Sequence, residues 1–167
     1  MGYNFIRVGR SGNGSIHSPQ AKIMFIGEYT HTVDEKKRIS LPAKFKKELG
    51  TKVVVTRGLD NCLFLFPHKT WLEISAELSN LDVKQADARG FSRFMFSGAV
   101  EIDMDSMGRI LIPDFLREFG DLKSPVVFAG VHNRIEIWNE KRWGSYKKRI
   151  ESQADMMAEK LGSVGIR

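Results

Sequence analysis

The sequence states one pattern twice. Phe25 to Trp71 and Phe96 to Trp143 carry the same landmarks in the same order: Gly27 with Gly98, Asp34 with Asp105, Arg38 with Arg109 and Pro42 with Pro113, all at one offset of 71 residues. Past the prolines the register drifts by a residue, so Gly50 answers Gly120 and Trp71 answers Trp143. A 167-residue chain of 19.0 kDa therefore holds two small units of one kind. It fits one domain, or two lobes sharing one core, and at this size roughly 70% of the extended surface can be buried.

Each unit reads as strand, turn, strand, short helix and hairpin. In the first, Glu28–Val33 and Arg38–Leu41 are strands around the turn at 34–37. Pro42 suits the first turn of a helix, where its missing N–H costs nothing. Phe45 and Leu49 share one face of that helix, and Gly50 is placed to end it. Val53–Thr56 and Cys62–Phe66 are β-rich runs around Gly58-Leu59-Asp60-Asn61, a hairpin signal. The second unit repeats the scheme with Val100–Met104, Arg109–Ile112, Pro113–Phe119, Val126–Ala129 and Arg134–Trp138. Between the units, Thr70-Trp71-Leu72-Glu73 has the capping-box pattern that opens a helix, with Trp71, Ile74, Leu78 and Leu81 as its buried stripe. A further helical segment covers Val83–Phe96. After the second unit, Trp143, Tyr146, Ile150, Ala154, Met157 and Leu161 recur at spacings of three or four, the mark of one long amphipathic helix. The expected class is α+β: two interleaved β-units with helices after each. The expected division is a flexible leader (1–23), a first module (26–73), a helical linker (74–97), a second module (98–145) and a C-terminal helix and tail (146–167).

Composition excludes several classes. No apolar run approaches the ~20 residues that cross a bilayer, so no membrane partner is expected. The N-terminus lacks a secretory pattern. One cysteine, Cys62, forbids an intramolecular disulfide and any Cys-cluster zinc site, and the expected compartment is a reducing cytoplasm. His17, His31, His68 and His132 are scattered without metal-ligand spacing. No nucleophile motif or phosphate loop is present, so no catalytic residue, metal, cofactor or small-molecule substrate is expected.

Charge is more informative. The formal net charge is +6. Residues 24–73 hold nine basic and six acidic side chains, whereas residues 98–145 hold six and eight. A polyanion, if bound, should meet the first unit. There Asp34-Glu35-Lys36-Lys37-Arg38 is followed by Lys44, Lys46 and Lys47, so six basic residues fall between 36 and 47. Asp34 suits a tight turn, and an arginine four residues later can emerge beside it as a planar donor fork matched to phosphate or guanine. The alternative is an internal Asp–Arg pair that stitches the turn, with solvated lysines around it. Asp105 and Arg109 repeat the pair without repeating the lysines. That divides the roles: aspartates and arginines partly build the scaffold, and the lysines serve binding.

At these residues the chain resembles the MraZ family of bacterial transcriptional regulators, built from tandem AbrB-type modules. The resemblance runs from about Met24 to Tyr146. It rests on Asp34-x-x-x-Arg38 and Asp105-x-x-x-Arg109, on Arg38-Ile-Ser-Leu-Pro42 and Arg109-Ile-Leu-Ile-Pro113, and on Thr56-Arg-Gly-Leu-Asp60. Cys62-Leu-Phe-Leu-Phe-Pro67, Asp87-Ala-Arg-x-Phe91, Phe96-Ser-Gly-Ala99 and Asn133-Arg-Ile-Glu-Ile-Trp138 complete it. It implies two swapped-hairpin β-units forming a pseudo-twofold barrel and a homo-oligomeric ring such as an octamer. It further implies binding of double-stranded DNA at short direct repeats upstream of the cell-division and cell-wall gene cluster, in the cytoplasm at the nucleoid. Arg38 carries over as the leading DNA contact, with Lys36 and Lys37 beside it on charge grounds. One departure stands out: Met24-Phe25-Ile26-Gly27 has Ile26 where relatives often carry arginine. The competing class is a structural or protein-interaction module that grips an acidic partner.

Overall fold

The computed structural model describes residues 24–163, so the leader expected over residues 1–23 lies outside the described residues. The first half supplies β1 (Phe25–His31), β2 (Arg38–Ser40), α1 (Ala43–Leu49), β3 (Lys52–Arg57), β4 (Leu63–Pro67), α2 (His68–Ser79) and α3 (Ala86–Gly98). The second supplies β5 (Val100–Asp103), β6 (Arg109–Leu111), α4 (Asp114–Phe119), β7 (Val126–His132), β8 (Arg134–Asn139), α5 (Glu140–Glu151) and α6 (Ala154–Ser163). The class is α+β, with an antiparallel sheet and, among the described residues, six helices.

Duplication in sequence becomes symmetry in the sheet. Six strands run in the order β1-β7-β8-β4-β3-β5, and β2 pairs with β6 in a separate two-stranded ribbon. Exchanging each strand for its counterpart in the other unit reverses the order and leaves it unchanged. The two units interleave: β1 lies against β7 of the second unit, and β5 against β3 of the first. Ile39 faces Ile110 at the centre of the ribbon.

Alternation along the strands sorts side chains into two cores. Val53, Val55, Leu63, Leu65, Val126, Phe128, Ile135 and Ile137 point to one face, where they meet Phe45, Leu49, Leu116, Ile39 and Ile110 from α1, α4 and the ribbon. Val54, Phe64, Phe66, Val127, Ala129 and Trp138 point to the other, where Trp71, Met95, Trp143 and Tyr146 from α2, α3 and α5 cover them. The sheet is thus a middle layer, with α1, α4 and the ribbon on one side and α2, α3 and α5 on the other. Cys62 is a buried core residue, and burial pushes its thiol up, so it stays protonated. No helix among the described residues is long and apolar enough to cross a membrane.

Three expectations for the helices need correction. Thr70 does not cap α2. Pro67, at φ −55°, carries the chain straight from β4 into a helix that begins at His68, and Thr70 is buried in its first turn without a side-chain cap bond. Leu81 is exposed because α2 closes at Asn80, one residue short of it. The long C-terminal helix is two helices. α5 ends at Glu151, where the N–H of the C-cap Ser152 donates to the Lys148 and Ile150 carbonyls, and α6 begins at Ala154. Leu161, on α6, is exposed.

Candidate nucleic-acid interface

Both Asp-x-x-x-Arg turns are built alike, and their chemistry explains why the two residues recur. In the first, the Lys37 N–H donates to the Asp34 carbonyl at 2.9 Å and the Asp34 N–H to the Arg38 carbonyl at 2.9 Å. The second matches it, with Gly108 donating to Asp105 at 2.8 Å and Asp105 to Arg109 at 3.0 Å. A β-turn that closes on a left-handed residue lets the strands return with the right twist. That residue is Lys37 at φ 63° in one unit and Gly108 at φ 74° in the other.

The carboxylates lock these turns. Asp34 accepts from the Arg38 backbone N–H at 2.9 Å and from its Nε at 2.8 Å, and Arg38 Nη2 lies 2.8 Å from Asp34 Oδ2. Asp105 holds Arg109 through the same three contacts, at 2.9, 2.8 and 2.7 Å. Arg109 Nη1 also approaches Asp34 Oδ2 at 3.8 Å, which ties the units together. The Arg38 N–H, above its other partners, holds the Asp34 carboxyl below the ordinary value, and the Arg109 guanidinium does so for Asp105.

Arg38 is therefore both stitch and surface. Asp34 takes the guanidinium edge formed by Nε and Nη2. The side chain remains 30% exposed, and Nη1 has no partner among the described residues. The internal pair weighed from the sequence is present, and it uses only part of the donor fork.

The lysines separate into two groups. Lys36, Lys44 and Lys47 are exposed and form no ion pair among the described residues. Lys37 is exposed and reaches Asp114 of the other unit at 3.8 Å. Lys46 differs. It is half-buried, its Nζ donates to the Met107 carbonyl at 2.9 Å, and its chain lies across Gly108, where an added Cβ would come within 2.4 Å of Lys46 Cε. Lys46 braces the second turn. Its spacing from Lys44 and Lys47 does not show that α1 of one unit lies over the turn of the other.

The second turn is less basic. Met107 is exposed at its tip, whereas Asp114, at the start of α4, lies beside the first turn, where it meets Lys37 at 3.8 Å and also pairs with Arg117. The left-handed Lys37 is the feature that sequence reasoning missed. Aligning Asp-Glu-Lys-Lys-Arg with Asp-Ser-Met-Gly-Arg would have exposed it, since glycine marks the position in the second copy.

Comparison with known proteins agrees with this duplication. The family model described as "MraZ protein, putative antitoxin-like" matches twice, at residues 24–94 and 95–161. "Transcriptional regulator MraZ" of Moorella thermoacetica is 49% identical over 138 residues, covering 83% of this chain and 96% of that protein. The proteins of the same name from Halothermothrix orenii and Syntrophomonas wolfei are 48% and 46% identical over 143 residues, covering 86% of this chain and all of each relative. A duplicated turn-bearing β-unit, matched once in each half and shared with relatives over almost their whole length, places the chain in the MraZ family.

Proposed function

We propose that this member of a family of transcriptional regulators binds double-stranded DNA through the turn at 34–38 and the exposed start of α1. Lys36, Lys37, Lys44 and Lys47 supply phosphate contacts, and Nη1 of Arg38, which Asp34 does not engage, adds directional donors. One observation carries the reading. A lysine occupies the left-handed position of the first turn, where the second turn has glycine. Such a conformation costs a side-chain-bearing residue about 1–2 kcal/mol. A cost accepted in only one of two matched turns is what a functional charge at that spot would impose.

Phosphate contacts by the lysines provide the salt-sensitive affinity, and base-edge contacts provide selectivity. One turn per subunit offers few base contacts. A homo-oligomeric ring presenting several turns to successive direct repeats would add them through effective concentration. The exchange of β1 and β5 between units supports the AbrB-like swapped-hairpin arrangement that such rings would repeat. The targets in this reading are the repeats upstream of the cell-division and cell-wall gene cluster, including the chain's own gene, in the cytoplasm at the nucleoid.

The test compares Arg38→Ala with Arg109→Ala in shift assays on the upstream fragment. Both arginines make the same three contacts to their own aspartates, and Arg109 adds an approach to Asp34 at 3.8 Å, so damage to the fold alone would not make Arg38→Ala the worse variant. The larger loss of binding is expected for Arg38→Ala. Equal losses would reject the first turn as the DNA face. Failure of the intact chain to retain any DNA above non-specific levels at physiological salt would favour the acidic-partner reading.

A further inference from the structure

A second cationic feature lies on the opposite side of the sheet from the turns. The β3–β4 hairpin tip and α5 enclose an open groove of about 600 Å³. Asp60 and Asn61 form one wall, and Lys141, Arg142, Ser145 and Arg149 form the other. The spacing places the α5 residues along one helix face, and at 1.5 Å per residue the seven steps from Arg142 to Arg149 span roughly 10 Å. That volume falls within the range of about 300–1,000 Å³ typical of small-molecule sites.

The charges in this groove are little used by the fold. Lys141 forms no ion pair among the described residues, and Arg142 reaches Asp121 only at 3.8 Å. The Arg149 guanidinium lies over the Tyr146 ring, 5.1 Å from its centroid, and forms no ion pair among the described residues. The first amides of α5 are already taken, since Asn139 Oδ1 accepts from Lys141 N at 2.9 Å and Arg142 N at 3.2 Å. Attraction for an anion comes from the side chains.

Duplication supplies an internal control. One offset of 72 residues relates Trp143 to Trp71, and by it the counterparts of Lys141, Arg142, Ser145 and Arg149 on α2 are Lys69, Thr70, Glu73 and Glu77. The first position is basic in both helices, whereas the arginines are replaced by Thr70 and Glu77. The scaffold does not require Arg142 and Arg149.

We propose that this groove binds a small organic phosphate, its phosphoryl end on Arg142, Arg149 and Lys141 and its hydroxyl-bearing end against Asp60 and Asn61. Guanidinium forks match phosphoryl oxygens. A single inorganic ion cannot reach both ends of the cationic face. Asp60 repels an anion and accepts from hydroxyl or amino groups, so the ligand must offer both characters.

Titration of the full-length protein against pyrophosphate, ADP and glucose 1-phosphate, read by calorimetry and by fluorescence of the nearby Trp138 and Trp143, tests the assignment. At least one organic phosphate should bind no less than tenfold tighter than pyrophosphate, and which one does so separates nucleotide from sugar phosphate. Lys141→Glu/Arg149→Glu should weaken that binding at least tenfold without changing the melting temperature; should it fail to fold, Arg149→Gln alone carries the test. Asp60→Ala should erase the preference over pyrophosphate. Absence of binding by all three probes, equal binding of pyrophosphate, or binding that survives removal of the cations would overturn the proposal. Loss of DNA binding by the ligand-free charge-reversed variant would also overturn it, by assigning α5 to the DNA contact.

Discussion

Replacing Lys37 by glycine separates what the first turn needs to fold from what it needs to bind. Lys37 sits at φ 63°, in the left-handed region, and its counterpart Gly108 at φ 74° makes the same turn without a side chain. Relief of the left-handed penalty is worth about 1–2 kcal/mol. Against it stands the extra unfolded-state freedom of glycine, about 0.4–1 kcal/mol. The lost contact to Asp114, at 3.8 Å between exposed groups, subtracts little. The net expectation is a gain of roughly 0.5–1 kcal/mol, or about 1–4 °C in melting temperature for a chain of this size. Removing the charge should at the same time weaken DNA binding and lower the slope of log K against log salt by about 0.9. Thermal unfolding and salt-titrated shift assays on one preparation measure both. A variant that is less stable than the parent would refute the strain argument, and one that is more stable but binds DNA with an unchanged salt slope would refute the functional reason for the lysine.

The remaining expectations concern neighbouring groups. Lys36→Ala, Lys44→Ala and Lys47→Ala should each lower the salt slope by about 0.9, whereas Lys46→Ala should leave the slope alone and lower the melting temperature, because its ammonium serves the Met107 carbonyl. Asp34 and Asp105 have carboxyls held below their ordinary value by Arg38 and Arg109. Their contribution to stability is fully present above about pH 4, the ordinary carboxylate range, and is lost as pH falls through the lower folded values. Melting temperatures across an acid series should therefore drop below about pH 4, and Asp34→Asn/Asp105→Asn should flatten that drop from a lower starting point. Ile39 is fully buried opposite Ile110, so Ile39→Ala should cost about 2–5 kcal/mol in denaturant unfolding.

Period and punctuation made much of the fold legible. Val53 to Thr56 and Leu63 to Pro67 are strand runs on either side of a turn, and Asp60 and Asn61 adopt the left-handed conformations, φ 55° and 60°, that such a tip requires. Pro42 and Gly50 bracket α1 as their chemistry dictates. What failed was local choice between equivalent signals. Thr70 fits a capping box, but Pro67 starts the helix earlier, and Ser152 interrupts an apolar stripe that continues in register across it. The candidate site was legible as chemistry and not as geometry. Asp34 and Arg38 could be paired from their spacing, yet the reach of Lys46 to Met107 and of Lys37 to Asp114 joins residues 61 and 77 positions apart. Those contacts depend on how the units interleave. Periodicity in α5 marks its apolar positions, and nothing in it shows that Arg142 and Arg149 face the β3–β4 tip across a groove.

Interleaving has a consequence for how such a protein can diverge. A lone half would expose the sheet edges that β1 and β5 occupy in the intact chain, and two identical halves could satisfy those edges only by pairing with each other. A dimer of that kind must wear the same fingertip on both sides of its two-fold axis. Joining the halves in one polypeptide removes that obligation: one tip can stay glycine-lined and relaxed while its twin accumulates charge. The linker between the repeats is thus what frees a symmetric architecture to point in one direction.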